Sequence, residues 1–301
     1  MKKIEVHLHT NTNCNLLCMH CYNRSGGKVN YCPSVEEIIN TILYIFNKYD
    51  AEMHLEGGEI FLRPDLLRAM DSLPDSILQN ITVTTNGTIF INDETILHMV
   101  RRLAALRISI ESADPCLHEQ IRGFSLAKTL ENAVQYQNCG IPVWLRVTLN
   151  QMNYKGFINQ HILKLSEQGF RQFQVYEFQS VGRGLDNHDL LSIKNNLDEL
   201  IEELCTTSLN GIVLKMMFSQ KRNAEILQQK KQLEENHYRV EIIPLEEGIS
   251  IHANGDVYLC AWENAEKLCN WYHDENARKI ISASNLIHHC NHCSAIRIVS
   301  T

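Results

Sequence analysis

At 301 residues the chain is long enough for one large α/β domain and a smaller appendage. Its hydrophobic share of 44% and charged share of 21% match a globular average, so burial alone can sustain a core. A formal charge of −7 excludes a broad nucleic-acid footprint, and no stretch approaches the ~20 apolar residues of a membrane span.

From residue 1 to about 218, short apolar runs alternate with amphipathic stretches. Strands are expected at Ile4–His9, Glu52–Leu55, Ile81–Thr85, Arg107–Ile110, Val143–Leu149 and Phe173–Phe178. The clearest helix is Ser34–Lys48, where Val35, Ile38, Ile39, Ile42, Leu43 and Phe46 make one stripe at helical spacing. Ser34 with Glu37 reads as a capping box after Pro33. Six strand–helix units predict a parallel sheet curled into a partial (β/α)6 barrel, TIM-like, with its chemistry at the C-terminal ends of the strands. Two further helical stretches between Asp189 and Asn236 flank a run at Ile212–Phe218. Short strands are then expected over Val240–Leu259, with a turn at Ala253–Asp256. A boundary near residue 220 divides the chain into 1–220, the barrel, and 221–301, a small C-terminal domain.

The start of the chain is too polar for a secretion signal, so a cytoplasmic location is expected. A reducing compartment keeps thiols free, so clustered cysteines point to metal rather than disulfides. Of 11 cysteines, seven fall in two groups, Cys14/Cys18/Cys21 and Cys260/Cys269/Cys290/Cys293. The first group follows the first strand as Cys14-Asn15-Leu16-Leu17-Cys18-Met19-His20-Cys21. Three thiolates can hold an iron–sulfur cluster and leave one iron of four open to a small molecule. The same residues can instead form a zinc knuckle, with His20 or His9 as fourth ligand.

CxxxCxxC after a first strand resembles the signature of the radical S-adenosylmethionine superfamily, and later stations resemble it in the same order. Gly57-Gly58-Glu59 ends the second strand like that family's GGE motif, whose backbone binds the methionine amino group. Thr85, Asn86 and Gly87 match its TNG. Ser109 and Glu111 stand where the family reads SLDG and contacts ribose and methionine, with Glu in place of the usual Asp. Ile121-Arg122-Gly123 resembles the RG of peptide-modifying members. The resemblance further implies Arg146 for the methionine carboxylate, Gly182 in the GR element near adenine, and His20 packed beside adenine. The cofactors it implies are a [4Fe–4S] cluster and S-adenosylmethionine, cleaved to a 5′-deoxyadenosyl radical that abstracts hydrogen from substrate.

Gly255-Asp256-Val257-Tyr258-Leu259-Cys260 resembles the GxxxxC hairpin of SPASM and twitch domains, which carry auxiliary iron–sulfur clusters. Cys260, Cys269, Cys290 and Cys293 match one auxiliary [4Fe–4S] site, with a four-thiolate zinc site as the other reading. Cys116, in Asp114-Pro115-Cys116 after the fourth strand, is a candidate hydrogen donor to a substrate radical, as epimerisation requires. The resemblance implies modification of a ribosomally made peptide by cross-linking, oxidation or epimerisation. Electrons would come from a flavodoxin or ferredoxin. The first strand begins by Ile4, so leader recognition is expected from a separate peptide-binding protein or the barrel itself. The alternatives are a twitch-type dehydrogenase acting on an aminocyclitol or sugar, and a zinc-stabilised binding protein without catalysis. Neither nucleic acid nor membrane is expected as a partner.

Overall fold

The structure is a computed structural model that describes residues 1–28, 30–236, 238–243, 248–259, 267–283 and 294–300. Six strands stand where the sequence places them: β1 (Lys3–His9), β2 (Asp50–Glu56), β3 (Ile81–Thr85), β4 (Ala105–Ser109), β5 (Val143–Leu149) and β6 (Gln172–Glu177). They pair in chain order and in parallel. The run at Ile212–Phe218 supplies a seventh, β7 (Val213–Phe218), parallel to β6.

Helices cross over between these strands. They are α1 (Val35–Lys48), α2 (Pro64–Met70), α3 (Asp75–Leu78), α4 (Glu94–Arg101), α5 (Pro115–Arg122), α6 (Leu126–Asn138), α7 (Leu163–Glu167), α8 (His188–Leu191) and α9 (Asp198–Thr206). Helix α1 begins as its sequence requires. Ser34 accepts from the Glu37 amide at 3.1 Å while Glu37 accepts from the Ser34 amide at 2.7 Å. Its stripe buries Ile38, Ile42 and Ile45 completely, a contribution of about 1.5–3 kcal/mol each.

After β7 come α10 (Gln220–Gln228), α11 (Lys230–Glu235), β8 (Tyr238–Ile243), β9 (Gly248–Ile251), β10 (Asp256–Tyr258), β11 (Cys269–Asn270), α12 (Ala277–Ala283) and β12 (Ser294–Ser300). These strands join the same sheet, at both of its ends. Strand β9 lies parallel beside β1 and folds back through the Ala253–Asp256 turn to β10 and then β11. Strand β12 runs antiparallel between β7 and β8. The order is β11-β10-β9-β1-β2-β3-β4-β5-β6-β7-β12-β8, an open sheet rather than a closed barrel.

Strands β1 to β6 largely alternate apolar and polar residues, and a strand sends successive side chains to opposite faces. Ile4, Val6 and Leu8 of β1, Met53 and Leu55 of β2, Leu106 and Ile108 of β4 and Leu145 and Val147 of β5 are buried in one apolar core. The opposite, concave face carries Glu5, His7 and His9, then His54 and Glu56, Arg107 and Ser109, Arg146 and Thr148, Gln174 and Tyr176. A polar concave face can hold charged ligands; an apolar one could not. Among the described residues no helix is long and apolar enough to cross a membrane.

Candidate functional site

The cysteine loop leaves β1 and lies across the C-terminal end of β2. The Gly58 amide donates to Asn11 O at 2.8 Å, and the Glu59 amide donates to Asn13 O at 2.8 Å. A Cβ at Gly58 would stand 1.9 Å from Asn13 O, and one at Gly57 would stand 2.4 Å from Asn11 O. Gly57 also has a φ of 135°, so glycine is required here on both counts. The pair therefore lets the cysteine loop touch the sheet.

The far side of the loop is held by the segment after β6. The Arg183 amide donates to Cys21 O at 2.8 Å, and its guanidinium donates to Cys18 O at 3.0 Å and Ser25 O at 2.7 Å. Gly182, at φ 58°, sits where a Cβ would come 2.0 Å from Tyr22 O. From below, α5 presents Ile121 O to the Met19 amide at 2.9 Å. Three separate elements thus fix one loop, with contacts from Asn11 to Ser25.

Between loop and sheet is a cavity with about 870 Å3 of space not filled by protein, part of it open to solvent. Cys14, Cys18, Cys21 and His20 line it, with Gly57, Gly58, Thr85, Asn86, Ser109, Glu111 and Arg146. These expected site residues therefore converge. Others do not line it. Glu59 is fully buried behind the wall, accepting from the Phe61 amide at 2.9 Å, Thr85 Oγ1 at 2.7 Å and the Asn86 amide at 2.7 Å. Gly182 backs the cysteine loop, as above. Cys116 is exposed at the start of α5, outside the cavity lining, so the structure does not bring it to the chemistry. Cys269 is buried on β11 in the apolar core with Val257 and Trp271. Cys260, Cys290 and Cys293 lie outside the described residues.

The three thiols suit a metal cluster with an open position, since no fourth cysteine lines the cavity among the described residues. All three are free. Burial pushes the Cys18 thiol up to about 11 against the pull of Arg122, and burial likewise raises Cys14. Thiols in such surroundings ionise when a cation binds them. Supporting donors are in place: the Leu16 amide at 3.4 Å and Asn86 Nδ2 at 3.8 Å both point at Cys14 Sγ. Arg122 adds a buried positive charge opposite the thiols.

Glu111 knits the floor. It accepts from Arg122 at 2.9 Å and from the Thr148 amide at 2.9 Å, with His20 Nε2 at 3.3 Å. Burial favours its neutral form, but His20, Arg122 and the Thr148 amide hold its carboxyl below the usual range. Arg146 pairs with Glu56 at 3.2 Å and lies 4.5 Å over the Tyr176 ring. Sequence reasoning missed Tyr22, Glu56, Thr148 and Tyr176, all of which line the cavity. Period-two alternation on β2, β5 and β6 was the signal that could have found the last three.

Residues 8–168 match the family model described as the Radical SAM superfamily. AlbA of Bacillus subtilis, the antilisterial bacteriocin subtilosin biosynthesis protein, is 26% identical over 176 residues, covering 58% of this chain and 39% of that protein. The probable GTP 3′,8-cyclase of Sulfurisphaera tokodaii is 26% identical over 196 residues, covering 63% of this chain and 61% of that one. The chain thus spans less than two-thirds of either relative. Streptococcus suis SuiB bound to S-adenosylmethionine shares the fold, with TM-score 0.67 and 14% identity over 95% of this chain and 67% of SuiB. The chain belongs to the radical SAM superfamily.

Proposed function

We propose that the chain modifies a ribosomally synthesised peptide, using the cavity around Cys14, Cys18 and Cys21. The observation that carries this reading is the convergence of three free thiols, the Gly57–Gly58 edge and Asn86 on one cavity. Membership of the superfamily implies S-adenosylmethionine and a [4Fe–4S] cluster. Bound there, they supply a 5′-deoxyadenosyl radical that takes a hydrogen atom from substrate. The three thiols hold the cluster, Arg122 offsets its negative charge, and Gly57 and Gly58 bring backbone close to the methionine end. Thr85, Asn86, Ser109 and His20 line the space for the rest of the cosubstrate, and Glu111 and Arg146 set its charge. The walls around the thiols limit water at a radical that water-borne reductants would quench.

The peptide substrate rests on two relatives. AlbA is named for bacteriocin biosynthesis, and SuiB has been seen bound to its precursor peptide SuiA. Residues 221–301, with Cys260, Cys269, Cys290 and Cys293, form an auxiliary region holding one further iron–sulfur cluster. A flavodoxin or ferredoxin supplies the electron, and the reducing cytoplasm keeps the thiols free. A small-molecule substrate is the second reading, favoured by the GTP cyclase relatives.

The test begins with iron, sulfide and zinc per chain after anaerobic reconstitution, in wild type and in the Cys14/Cys18/Cys21→Ala variant. About eight irons falling to about four supports two clusters, and about four falling to none removes the auxiliary one. Zinc with little iron in both sinks the radical reading. Co-expression with any short peptide found encoded beside the gene should then give a peptide lighter by two hydrogens. Consumption of GTP with no peptide change would decide for the small molecule.

A further inference from the structure

Next to the thiol-lined cavity, the concave face carries a line of ionisable groups that the proposed chemistry leaves unused. Glu5, His7 and His9 share one face of β1, and the parallel register sets His7 beside His54 and His9 beside Glu56 of β2. His54 Nε2 lies 2.6 Å from Glu5 Oε1, and His7 Nε2 lies 3.6 Å from the same oxygen. His7 Nδ1 lies 3.6 Å from Glu56 Oε2. That Glu56 oxygen also accepts from the Tyr22 hydroxyl at 2.8 Å in the cavity wall. The line runs from the cavity to the N-terminal end of β1. Side-chain exposure falls from 33% at Glu5 to 16% at His7 and 2% at Glu56, so Glu5 is its opening to water.

Charges alternate along it. Burial opposes charge on His7, yet Glu5 and Glu56 raise its pKa to about 9, making it an imidazolium between two carboxylates. Burial also works against Glu5 and Glu56, but His54 and His7 hold the first well below the carboxylate range, and Arg146 and His7 the second. His54 is different. Burial and the Arg107 guanidinium lower it to about 4, and Arg107 donates to its Nδ1 at 3.1 Å, so its proton sits on Nε2 facing Glu5. Glu5, His7 and His54 are near enough to hold a metal ion, with ligand atoms within 4.8 Å of one another. The cationic His7 and the Arg107 guanidinium against His54 already offset the carboxylate there, which favours protons over a metal. The other groups facing the line are His9 and His252, whose rings stack at 4.5 Å, Glu52 beside Glu5 in the register, and Lys215 near both carboxylates.

His7 is held loosely. Both of its carboxylate contacts exceed hydrogen-bond length, and its buried Nδ1 has no hydrogen-bond partner. We propose that Glu56 accepts a proton from the bound substrate, and that His7 and Glu5 conduct it to water at the N-terminal end of the barrel. This rests on the reading of the cavity as a site of substrate oxidation. Removing two hydrogens from a substrate sends one, as an atom, to the 5′-deoxyadenosyl group. The other leaves as a proton to Glu56, and its electron goes to an oxidised iron–sulfur cluster. His7 hands its Nε2 proton to Glu5 and turns its ring by half a rotation. It then receives the Glu56 proton on the emptied nitrogen. Glu5 releases its proton to water, and the line returns to its starting charge.

The experiment uses the full chain without cofactor, labelled with nitrogen-15 histidine, so it does not depend on the peptide reading. His7→Gln assigns the His7 resonances. In the wild type His7 titrates near 9, and Glu5→Gln slows exchange of its ring protons with water by about tenfold or more. Glu5→Asp, which keeps a carboxylate, restores exchange, and Glu52→Gln on the same face leaves it unchanged. Exchange that is unaltered in Glu5→Gln overturns the relay, as does titration of His7 near its ordinary value. Binding of one zinc ion per chain, lost in Glu5→Gln, would also overturn it and assign the cluster to a metal.

Discussion

Glu59 is the residue whose loss best separates a brace from a ligand contact. Its carboxylate is fully buried and takes three donors: the Phe61 amide and Thr85 Oγ1 on Oε1, and the Asn86 amide on Oε2. Burial raises its pKa, and these donors only partly counter that. In Glu59→Gln an amide nitrogen must face one of the two donor sets. With the nitrogen at Oε1, Thr85 can turn to accept, but the Phe61 amide is left unsatisfied; at Oε2 the Asn86 amide is left so. One lost buried acceptor costs about 1–3 kcal/mol. Glu59→Ala strands all three donors and opens a void, for about 4 kcal/mol or more. The effect should reach the cysteines, because Asn86 also points Nδ2 at Cys14 Sγ and donates to Asn15 at 2.8 Å. Calorimetry should show the Gln variant melting several degrees lower and the Ala variant lower still, with reconstituted iron falling in the same order. The decisive comparison is equilibrium dialysis against S-adenosylmethionine. A Gln variant that melts within about 1 °C of wild type, keeps its iron and loses S-adenosylmethionine would refute the brace and make Glu59 a ligand contact.

Gly182→Ala should lower iron content without touching a thiol, because its Cβ would press on Tyr22 O and displace the backbone beside Cys21. If iron per chain is unchanged, the Gly182 contact does not position the loop. The His7 charge should appear in the pH dependence of stability. A pKa raised from 6.5 to about 9 stabilises the fold by up to about 3 kcal/mol, fully present below pH 6.5 and lost as pH rises through 9. Urea midpoints should therefore fall between pH 6.5 and 9 in wild type and stay flatter in His7→Phe; equal slopes in both would remove the ion pairs from the account.

How much of this was legible depends on the range over which each signal acts. Strand and helix positions follow from local alternation and the Ser34–Glu37 box, so β3 and β5 fall where the pattern puts them. The convergence of Cys14, Gly57, Asn86 and Ser109 follows from one topological rule, that loops after parallel strands gather at one end. What local pattern does not carry is pairing between distant segments. Nothing near Gly248 announces that β9 will lie beside β1, and nothing near Ser294 announces that β12 will insert between β7 and β8.

The motif residues themselves divide by what surrounds them. A glycine reads in sequence as room for a ligand, but the atoms nearest an added Cβ at Gly58 and Gly182 are backbone of the cysteine loop. A glutamate in a motif reads as a contact, but Glu59 spends both oxygens on neighbouring loops. Both serve the cavity by placing other residues. The polar alternation of β1 and β2 is a local pattern that by itself locates strands and no more. On an open, water-facing sheet such residues need no partner, whereas a curled sheet turns them inward. There Glu5 and Glu56 must be balanced by His7 and Arg146. Curvature, a property of the whole sheet, converts an ordinary strand pattern into a charged interior.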